Sequence, residues 1–471
     1  MTQILLLVTI FLPLLGGLFI VSADDKNSHN SVNVAIFTIL SNIFLILKLF
    51  ADIDTFAENI QATSSFVWPI LPRINIMFGV DVTSLLLILA VHVAMLVGVL
   101  GIRKESKSQK SVLFFAMLFL CSCNAYFSAV DIFSFYTFFL VMTFPLFMQT
   151  GIVNEGKKYK IIARFCLYNF IGTFLFLLSL IILYALEGRG VEISQISQVK
   201  LSSKYAIWVW SGFFLAFVSR IPVWPFHYWI TSVSSTIKNP LIFIEANLIP
   251  VAGLYGFMRF WPANIPEEIS SLAPIFEIFC VVTMLFMAFS GYTNTTTKEK
   301  LFSYTLVYYL LYLIGVFLPT DILFLNISYS LFAFILVMSA LTMLVAHIEK
   351  ESEKQNNVFG GILCLQPKTS IAYSILILAA IGLPVSALFW NNFIIISEIF
   401  NVSLYMGISI IVTLLLAAIS LLQNLYILKD YSCLIGAEEK ILDIDTMEFA
   451  VCLIVMLILF LSLFKPLWFA Y

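Results

Sequence analysis

The residues best suited to do chemistry form one stretch near the middle of the chain, Arg220-Ile-Pro-Val-Trp-Pro-Phe-His-Tyr-Trp-Ile230. It lies between two strongly apolar segments, residues 207–218 and 241–260. Pro222 and Pro225 have no backbone N–H and clash with the preceding turn, so they predict a break in the helix. In hydrocarbon a broken backbone is tolerated only against protein or a water-filled cavity. An intramembrane cation beside such a break is therefore a candidate for an ion path.

The composition indicates the environment in which these residues would act. The chain has 471 residues, of which 61% are hydrophobic and 11% are charged. Soluble domains carry about 25% charged residues, so the sequence predicts an all-α polytopic membrane protein. A net charge of −2 indicates no nucleic-acid partner. The seven cysteines lie mostly inside apolar runs, so we expect neither a metal site nor a disulfide framework.

The apolar segments predict a single membrane domain over residues 1–471. The first of them, residues 4–21, lacks the basic start of a signal peptide, so we expect it to be retained as a spanning helix. Asp81 and Asp131 stand at helix starts, where capping is the expected role. A span needs about 20 residues, which gives about 14 helices at roughly 3–22, 32–50, 78–101, 111–129, 131–151, 163–185, 205–222, 241–260, 272–292, 301–318, 321–347, 370–397, 402–428 and 447–466.

Cationic loops predict how the chain crosses the membrane. Residues 103–110 and 157–160 hold the clearest excess of Lys and Arg, and the two loops are two helices apart, hence on the same side. The positive-inside rule places that side in the cytoplasm or the matrix, and the N terminus outside.

A second interruption, five helices after the first, suggests an internal repeat. The run Ala380-Ile-Gly-Leu-Pro-Val-Ser-Ala-Leu-Phe-Trp-Asn-Asn392 places Gly382 and Pro384 ahead of an aromatic and polar pair. Interrupted helices at matching places in two halves are typical of inverted-repeat transporters. We therefore expect two inverted five-helix repeats with breaks in helices 7 and 12. The expected parts are the N-terminal helices 3–101, the first repeat 111–260, the second repeat 272–428 and a C-terminal helix 447–466.

These interrupted segments resemble the antiporter-like proton-channel subunits of respiratory complex I. The Arg220 stretch followed by Gly253-Leu-Tyr-Gly-Phe-Met-Arg259-Phe carries the resemblance first. Asp443-Ile-Asp-Thr-Met-Glu448, before the last helix, is most similar to the M chain, whose mitochondrial counterpart is subunit 4. Further motifs agree in order along nearly the whole chain: Phe78-Gly-Val-Asp81, Asp131-Ile-Phe-Ser-Phe-Tyr136, Arg164-Phe-Cys-Leu-Tyr168, Lys300-Leu-Phe-Ser-Tyr304 and Gly382-Leu-Pro384.

The resemblance implies a membrane-arm subunit of an NADH–quinone oxidoreductase that contributes to proton transport while quinone is reduced elsewhere in the complex. It implies no cofactor in this chain, because NADH and quinone would be handled by other subunits. The expected partners are the lipid bilayer and other membrane subunits of complex I or of an antiporter-like complex. The expected location is the bacterial cytoplasmic (inner) membrane, with the mitochondrial inner membrane as the alternative.

Most titratable positions of the family pattern are changed in this sequence. The fifth-helix glutamate corresponds to Leu140, the eighth-helix lysine to Val251 and the twelfth-helix glutamate to Asn392. The tenth-helix histidine corresponds to Tyr309, whose hydroxyl is at best a hydrogen-bond relay. The seventh-helix lysine corresponds to Arg220, which keeps the charge but is a poor proton carrier.

Two further residues complete the candidate path. His227 persists from the family pattern, and its alternative role is a structural hydrogen bond in the linker after the prolines. Glu245, inside an apolar helix, is expected to pair with Arg220 or Lys238; its alternative is a first-turn acid favoured by the helix dipole. For Arg220 the alternative is an end-of-helix side chain that snorkels to the membrane interface.

Three functions stay open at this point. The first is a modified proton channel built on Arg220, His227 and Glu245. The second is a diverged paralogue that fills the same place in the complex without conducting protons, which Leu140, Val251 and Asn392 favour. The third is a subunit of a multi-subunit Na⁺/H⁺ antiporter, which shares the fold. The sequence does not separate H⁺ from Na⁺ as the transported ion.

Overall fold

The computed structural model describes a helical membrane protein with one small β-hairpin. The residues described are 2–22, 28–55, 59–67, 74–103, 109–153, 159–187, 191–198, 203–221, 223–224, 237–261, 272–294, 296–318, 322–354, 361–384, 386–430 and 442–462. Within them, eleven helical stretches are long and apolar enough to cross a membrane. The prediction of an all-α polytopic membrane protein is confirmed, whereas the count of fourteen spans and the inverted repeats stay predictions.

The elements follow one another in a simple order. The helices are α1 (Thr2–Ser22), α2 (Ser28–Asp52), α3 (Val82–Gly101), α4 (Gln109–Phe127), α5 (Ile132–Val141), α6 (Thr143–Val153), α7 (Tyr159–Glu187), α8 (Ser203–Arg220), α9 (Pro240–Phe260), α10 (Ala273–Thr293), α11 (Thr297–Phe317), α12 (Ile322–Lys354), α13 (Pro367–Ile381), α14 (Ala387–Val402), α15 (Leu404–Lys429) and α16 (Thr446–Leu461). Strands β1 (Gln61–Val67) and β2 (Asn75–Val80) pair antiparallel between α2 and α3, with Phe66 opposite Ile76.

The predicted helix over 78–101 begins too early, because its first residues belong to β2. Asp81 ends the strand and starts the helix: its carboxylate accepts the N–H of Ser84 at 2.8 Å, and the Ser84 hydroxyl accepts the N–H of Asp81 at 2.9 Å. This reciprocal pair satisfies two backbone N–H groups that a helix start leaves without partners. Asp131 caps α5 with one such bond, in which its carboxylate accepts the N–H of Ser134 at 2.8 Å. Both expected caps are confirmed.

Two predicted long helices are each divided. Residues 131–151 form α5 and α6, separated at Met142. Residues 370–397 form α13 and α14, and α13 ends at Gly382, whose φ of +84° is the left-handed conformation that glycine adopts without strain. Helix α8 ends at Arg220, as expected from the proline-rich stretch that follows. Pro222, Pro225 and His227 themselves lie outside the described residues.

Burial arranges the helices in layers. The 18-residue apolar windows of α9 and α11 are wholly buried, and α3, α4 and α12 pack around them. In the outer helices α1, α2, α7, α10 and α15, only 33–39% of the corresponding window is buried. Their outward side chains are large and apolar; Phe37 and Phe44 of α2, for example, are 74% and 68% exposed. Such a surface is stable only against hydrocarbon, so these helices form the lipid-facing layer.

A proline in α1 creates a contact among three helices. Pro13 has no N–H to give to the carbonyl of Thr9, four residues earlier. That carbonyl instead accepts the side-chain amides of Asn42 from α2 and Asn124 from α4, each at 2.9 Å. Both asparagines are buried, so the two bonds tie α1 to the rest of the bundle where water is absent.

At the end of the molecule that carries the hairpin, an ion pair joins α3 to α9. The guanidinium of Arg259 donates to the Asp81 carboxylate at 2.6 Å, and its Cζ lies 4.8 Å from the centre of the Tyr255 ring. The side chains are only 21% and 14% exposed. The carboxylate that caps α3 therefore also fixes the last turn of α9.

The shared carbonyl of Thr9 predicts non-additive mutations. Asn42→Ala or Asn124→Ala alone should lower the free energy of unfolding by no more than about 1 kcal/mol, because the remaining amide still satisfies the carbonyl. The double variant should lose more than the sum of the two, which unfolding of the detergent-solubilised protein in SDS would measure. Asn401→Ala, at an exposed asparagine of α14, is the control and should change nothing. Simple additivity would contradict the shared acceptor.

Candidate functional site

The described candidate residues all lie on helices of the bundle or at their ends. Arg220 ends α8, and Glu245 lies within α9; both side chains are 0% exposed. Tyr309 of α11 is 1% exposed and Asn392 of α14 is 6% exposed. Pro384 is exposed in the break between α13 and α14. Four polar side chains from four helices are thus withdrawn from both lipid and water.

Arg220 contacts a backbone carbonyl, a thioether and an aromatic ring. Its Nη2 donates to the carbonyl oxygen of Phe139, and its Nη1 lies 3.9 Å from the sulfur of Met142. The guanidinium carbon lies 3.7 Å from the centre of the Phe139 ring. Its Nε has no hydrogen-bond partner within the part of the chain that the structure describes. Because the side chain is fully buried, the alternative of an arginine that snorkels to the interface is wrong.

The hydrogen-bond acceptor of Arg220 is a carbonyl near the end of α5. Phe139 lies in the last turn of α5, which ends at Val141. The last carbonyls of a helix lack intrahelical partners and carry the partial negative charge of the helix dipole. Among the described residues, no carboxylate lies within ion-pair distance of Arg220. The break between α5 and α6 thus supplies the acceptor that the half-buried Leu140 does not.

Two glycines allow α9 to lie directly against α8 at this point. A Cβ atom at Gly253 would lie 2.7 Å from the carbonyl oxygen of Phe217 and 3.1 Å from the Cβ of Arg220. A Cβ atom at Gly256 would lie 2.5 Å from the Phe217 ring. The Gly-Leu-Tyr-Gly motif therefore belongs to the packing that buries Arg220.

Glu245 lies in a separate polar contact. Its Oε1 accepts the side-chain amide of Gln149 from α6 at 3.0 Å, and the same amide nitrogen donates to the Val112 carbonyl of α4 at 3.0 Å. The second oxygen of Glu245 and the Oε1 of Gln149 are buried without a hydrogen-bond partner among the described residues. This half-satisfied carboxyl is the kind of group that exchanges a proton, whereas a guanidinium stays charged.

The expected partners of Glu245 are wrong. Its carboxylate pairs with neither Arg220 nor Lys238, since Lys238 pairs with Glu353 of α12 at 2.7 Å. It is also beyond the first turn of α9, which starts at Pro240 and is capped by the Asn239 side chain. Instead, Glu245 contacts Gln149 of α6, whereas Arg220 contacts Phe139 of α5.

Helix α4 also binds the helix that carries Glu245. The hydroxyl of the buried Tyr126 donates to the Ala252 carbonyl of α9 at 2.7 Å. One turn earlier on α4, Cys123 is buried as well.

The tyrosines of α11 connect the central helices to the broken pair. The Tyr309 hydroxyl donates to the Asn247 carbonyl of α9 at 2.7 Å, three residues before Pro250 interrupts the backbone bonding of that helix. The Tyr304 hydroxyl donates to the Ala380 carbonyl near the end of α13 at 2.6 Å. Both hydroxyl protons are thus engaged with backbone oxygens.

Asn392 faces α11 from the other side of the break. Its side chain lies beside the hydroxyl of Tyr312, outside hydrogen-bond geometry, and its Oδ1 has no partner. The Tyr312 hydroxyl likewise has none among the described residues. Beside these residues, Phe334 of α12 stacks on Tyr308 of α11 with ring centres 4.9 Å apart. The ion-path role of these residues stays a prediction.

Two polar residues were missed in the sequence. Gln149 became important only as the partner of Glu245, from a different helix. His92 is fully buried in the middle of α3, with Nδ1 2.8 Å from the Ile88 carbonyl and Nε2 without a partner. Both could have been recognised in the sequence, because each is a polar side chain inside an apolar membrane span.

Relatives of known identity cover most of the chain. NADH-quinone oxidoreductase subunit M of Rickettsia bellii is 25% identical over 445 residues, which are 90% of this chain and 86% of that protein. NADH-ubiquinone oxidoreductase chain 4 of Marchantia polymorpha is 24% identical over 405 residues, 83% of this chain and 80% of that protein.

Solved structures have the same fold. A chain of respiratory complex I from Thermus thermophilus with bound NADH superposes with a TM-score of 0.84 at 21% identity, covering 99% of this chain and 96% of that one. A chain of the membrane-bound sulfane sulfur reductase, an archaeal respiratory membrane complex, superposes with a TM-score of 0.85 at 16% identity and the same coverage.

The family follows from residues 129–418, which span α5 to α15 and include both candidate polar sites. They match the model of the family described as NADH:quinone oxidoreductase/Mrp antiporter, transmembrane region. This range is more than half of the chain, and the resemblance recognised in the sequence is confirmed. The chain belongs to the NADH:quinone oxidoreductase/Mrp antiporter transmembrane family.

Proposed function

We propose that this chain is an M-type membrane-arm subunit of a respiratory NADH–quinone oxidoreductase and takes part in proton transport coupled to quinone reduction. The names of the Rickettsia and Marchantia relatives support the subunit type. In this proposal the chain holds no cofactor, since NADH and quinone belong to other subunits. Its partners are the neighbouring membrane subunits and the lipid, and its location is the bacterial cytoplasmic (inner) membrane.

The observation that carries the transport part of the proposal is the contact between Glu245 and Gln149. A carboxyl in the wholly buried helix α9 has one oxygen bound and one without a partner, next to an amide oxygen that is also without a partner. Two such buried atoms favour a bound water or a transferred proton over a fixed structural bond. Glu245 is therefore the residue through which we expect protons to pass.

The second candidate function is a structural subunit that occupies the same place without conducting protons. Arg220 favours it, because this cation is held by a carbonyl, a sulfur and a ring, and none of these takes up its proton. Val251, fully buried and apolar, favours it as well. An antiporter subunit is the remaining possibility within the family, and the experiment on partners separates it from both.

Purification of the tagged full-length chain from its native membrane tests the proposed subunit type. We expect NADH-oxidising and quinone-reducing subunits to purify with it in fixed proportion, identified by mass spectrometry. Deletion of the chain should then lower NADH-driven proton uptake without creating sodium sensitivity. Recovery of antiporter subunits, or of the chain alone, would contradict the assignment to a quinone-reducing complex.

Glu245→Gln tests the proton path. The amide keeps the side-chain volume and an oxygen for Gln149, so we expect normal assembly on a native gel. Loss of a proton-transferring group slows transfer by about 10²-fold or more. NADH-driven proton uptake in inverted vesicles should therefore fall to the part carried by other subunits. Glu398→Gln, at a half-buried carboxylate that accepts the Asn401 amide near the end of α14, is the matched control and should keep full uptake. Normal uptake in Glu245→Gln would favour the structural subunit.

The contacts of Arg220 and Arg259 predict unequal costs of removing their charges. Arg259→Met leaves the Asp81 carboxylate without its cation and should lower the free energy of unfolding by about 3 kcal/mol. Arg220→Met leaves no carboxylate unpaired and gives a side chain of similar length, so the loss should be about 1 kcal/mol. Unfolding of the two solubilised variants in SDS compares them directly. An equal or larger loss for Arg220→Met would indicate an acidic partner.

A further inference from the structure

The four residues 442–445, which precede α16, hold the start of α13 and the end of α12 together. We call them the clamp segment. The carbonyl of Leu442 accepts the side-chain amide of Gln366 at 2.7 Å and lies 3.1 Å from Nε2 of His347 in α12. The N–H of Leu442 donates to the Glu351 carboxylate at 3.2 Å. Three helices that are distant in sequence therefore meet at this segment.

Within the clamp segment, Asp443 caps a helix that has no cap of its own. Gln366 stands at the N-cap position of α13 but makes no capping bond with its side chain. The Asp443 carboxylate accepts the N–H groups of Lys368 and Thr369 at 2.8 and 3.0 Å, and the Thr369 hydroxyl at 2.6 Å. First-turn N–H groups have no intrahelical acceptor and carry partial positive charge. The Asp443 carboxylate both accepts these hydrogen bonds and supplies a negative charge next to the partial positive charge.

The charge state of Asp443 agrees with this role. Partial burial raises the pKa of the carboxyl, but the hydrogen bonds from Thr369, Lys368 and Ile444 together lower it further, so that the pKa lies below its usual value. The group is thus a carboxylate at neutral pH and supplies a full negative charge to the start of α13.

The other end of α13 is a break in the backbone. The helix has fifteen residues, fewer than the roughly 20 that span a bilayer. It ends at Gly382, and α14 with the buried Asn392 starts at Ala387. One turn before the break, the Ala380 carbonyl accepts the Tyr304 hydroxyl of α11. The tilt of α13 therefore decides where the break and its polar neighbours lie.

We propose that Asp443 is a positioning residue for this broken helix: by capping α13 from the clamp segment, it fixes the tilt of α13 about the break after Gly382. The consequence for transport rests on the proposed function; the consequence for α13 does not. Asp443 touches none of the buried polar residues of the candidate path and acts on them through α13 alone.

Hydrogen exchange of the assembled complex tests the effect on α13. In Asp443→Ala, exchange of the amides of Lys368 and Thr369 should rise about fivefold, the usual effect of losing a cap. Asp443→Asn should restore most of the protection, because asparagine caps helices about as well as aspartate. Asp445→Ala is the matched control, since it removes the cap of α16 and leaves that of α13. Unchanged exchange at Lys368 and Thr369 in Asp443→Ala would overturn the proposal.

The ratio of protons taken up to NADH oxidised separates positioning from mere stability. A variant that only destabilises the protein lowers the amount of assembled complex but leaves the ratio of protons to NADH unchanged. We expect Asp443→Ala to lower the ratio in inverted vesicles and Asp443→Asn to restore it, while Asp445→Ala keeps it. If Asp443→Ala assembles poorly, Thr369→Val, which removes one of the three donors, provides the same comparison. If Asp443→Ala raises the exchange but leaves the ratio of protons to NADH unchanged, Asp443 caps α13 without positioning it for transport, and the proposal is refuted.

Discussion

The structure depends on one constraint, the absence of water inside the membrane. Each backbone carbonyl that loses its helical partner is best satisfied by a donor within the protein, because leaving it buried and unpaired costs about 1–3 kcal/mol. This chain frees the carbonyl of Thr9 through Pro13, and the end of α5 frees carbonyls of its last turn. Side chains from other helices donate to Thr9 and to Phe139 at these two places.

The same constraint explains why polar residues in this bundle have unequal roles. Asn42 and Tyr309 each donate a hydrogen bond to a backbone oxygen of another helix. Arg220 serves the end of α5 as well, and its charge is part of the architecture. Glu245 differs because it is a carboxyl, and one oxygen on it and one on its partner Gln149 have no hydrogen-bond partner among the described residues. It combines a side chain that can exchange a proton with an unsatisfied oxygen, which the asparagines and the arginine do not.

Much of the helix pattern was accessible from sequence because it is set locally. The expected helix 241–260 matches α9 within one residue, since apolar length and the Asn239 cap are both local properties. The break at Met142 was missed although Pro145 follows three residues later, because prolines also occur inside continuous membrane helices. The strand at 75–80 was missed because it depends on pairing with β1. The partners of Glu245 and Arg220 could not be predicted, since they come from helices about 80–100 residues away in sequence.

The contact at Thr9 has a consequence for biogenesis. Chains emerge and enter the membrane from the N terminus. Asn42 lies 33 residues after Thr9, whereas Asn124 lies 115 residues after it. The exposed oxygen of the first helix is therefore covered early by its neighbour in the chain and receives its second donor only when the fourth helix arrives. The two hydrogen bonds to this oxygen therefore form in the order in which Asn42 and Asn124 enter the membrane.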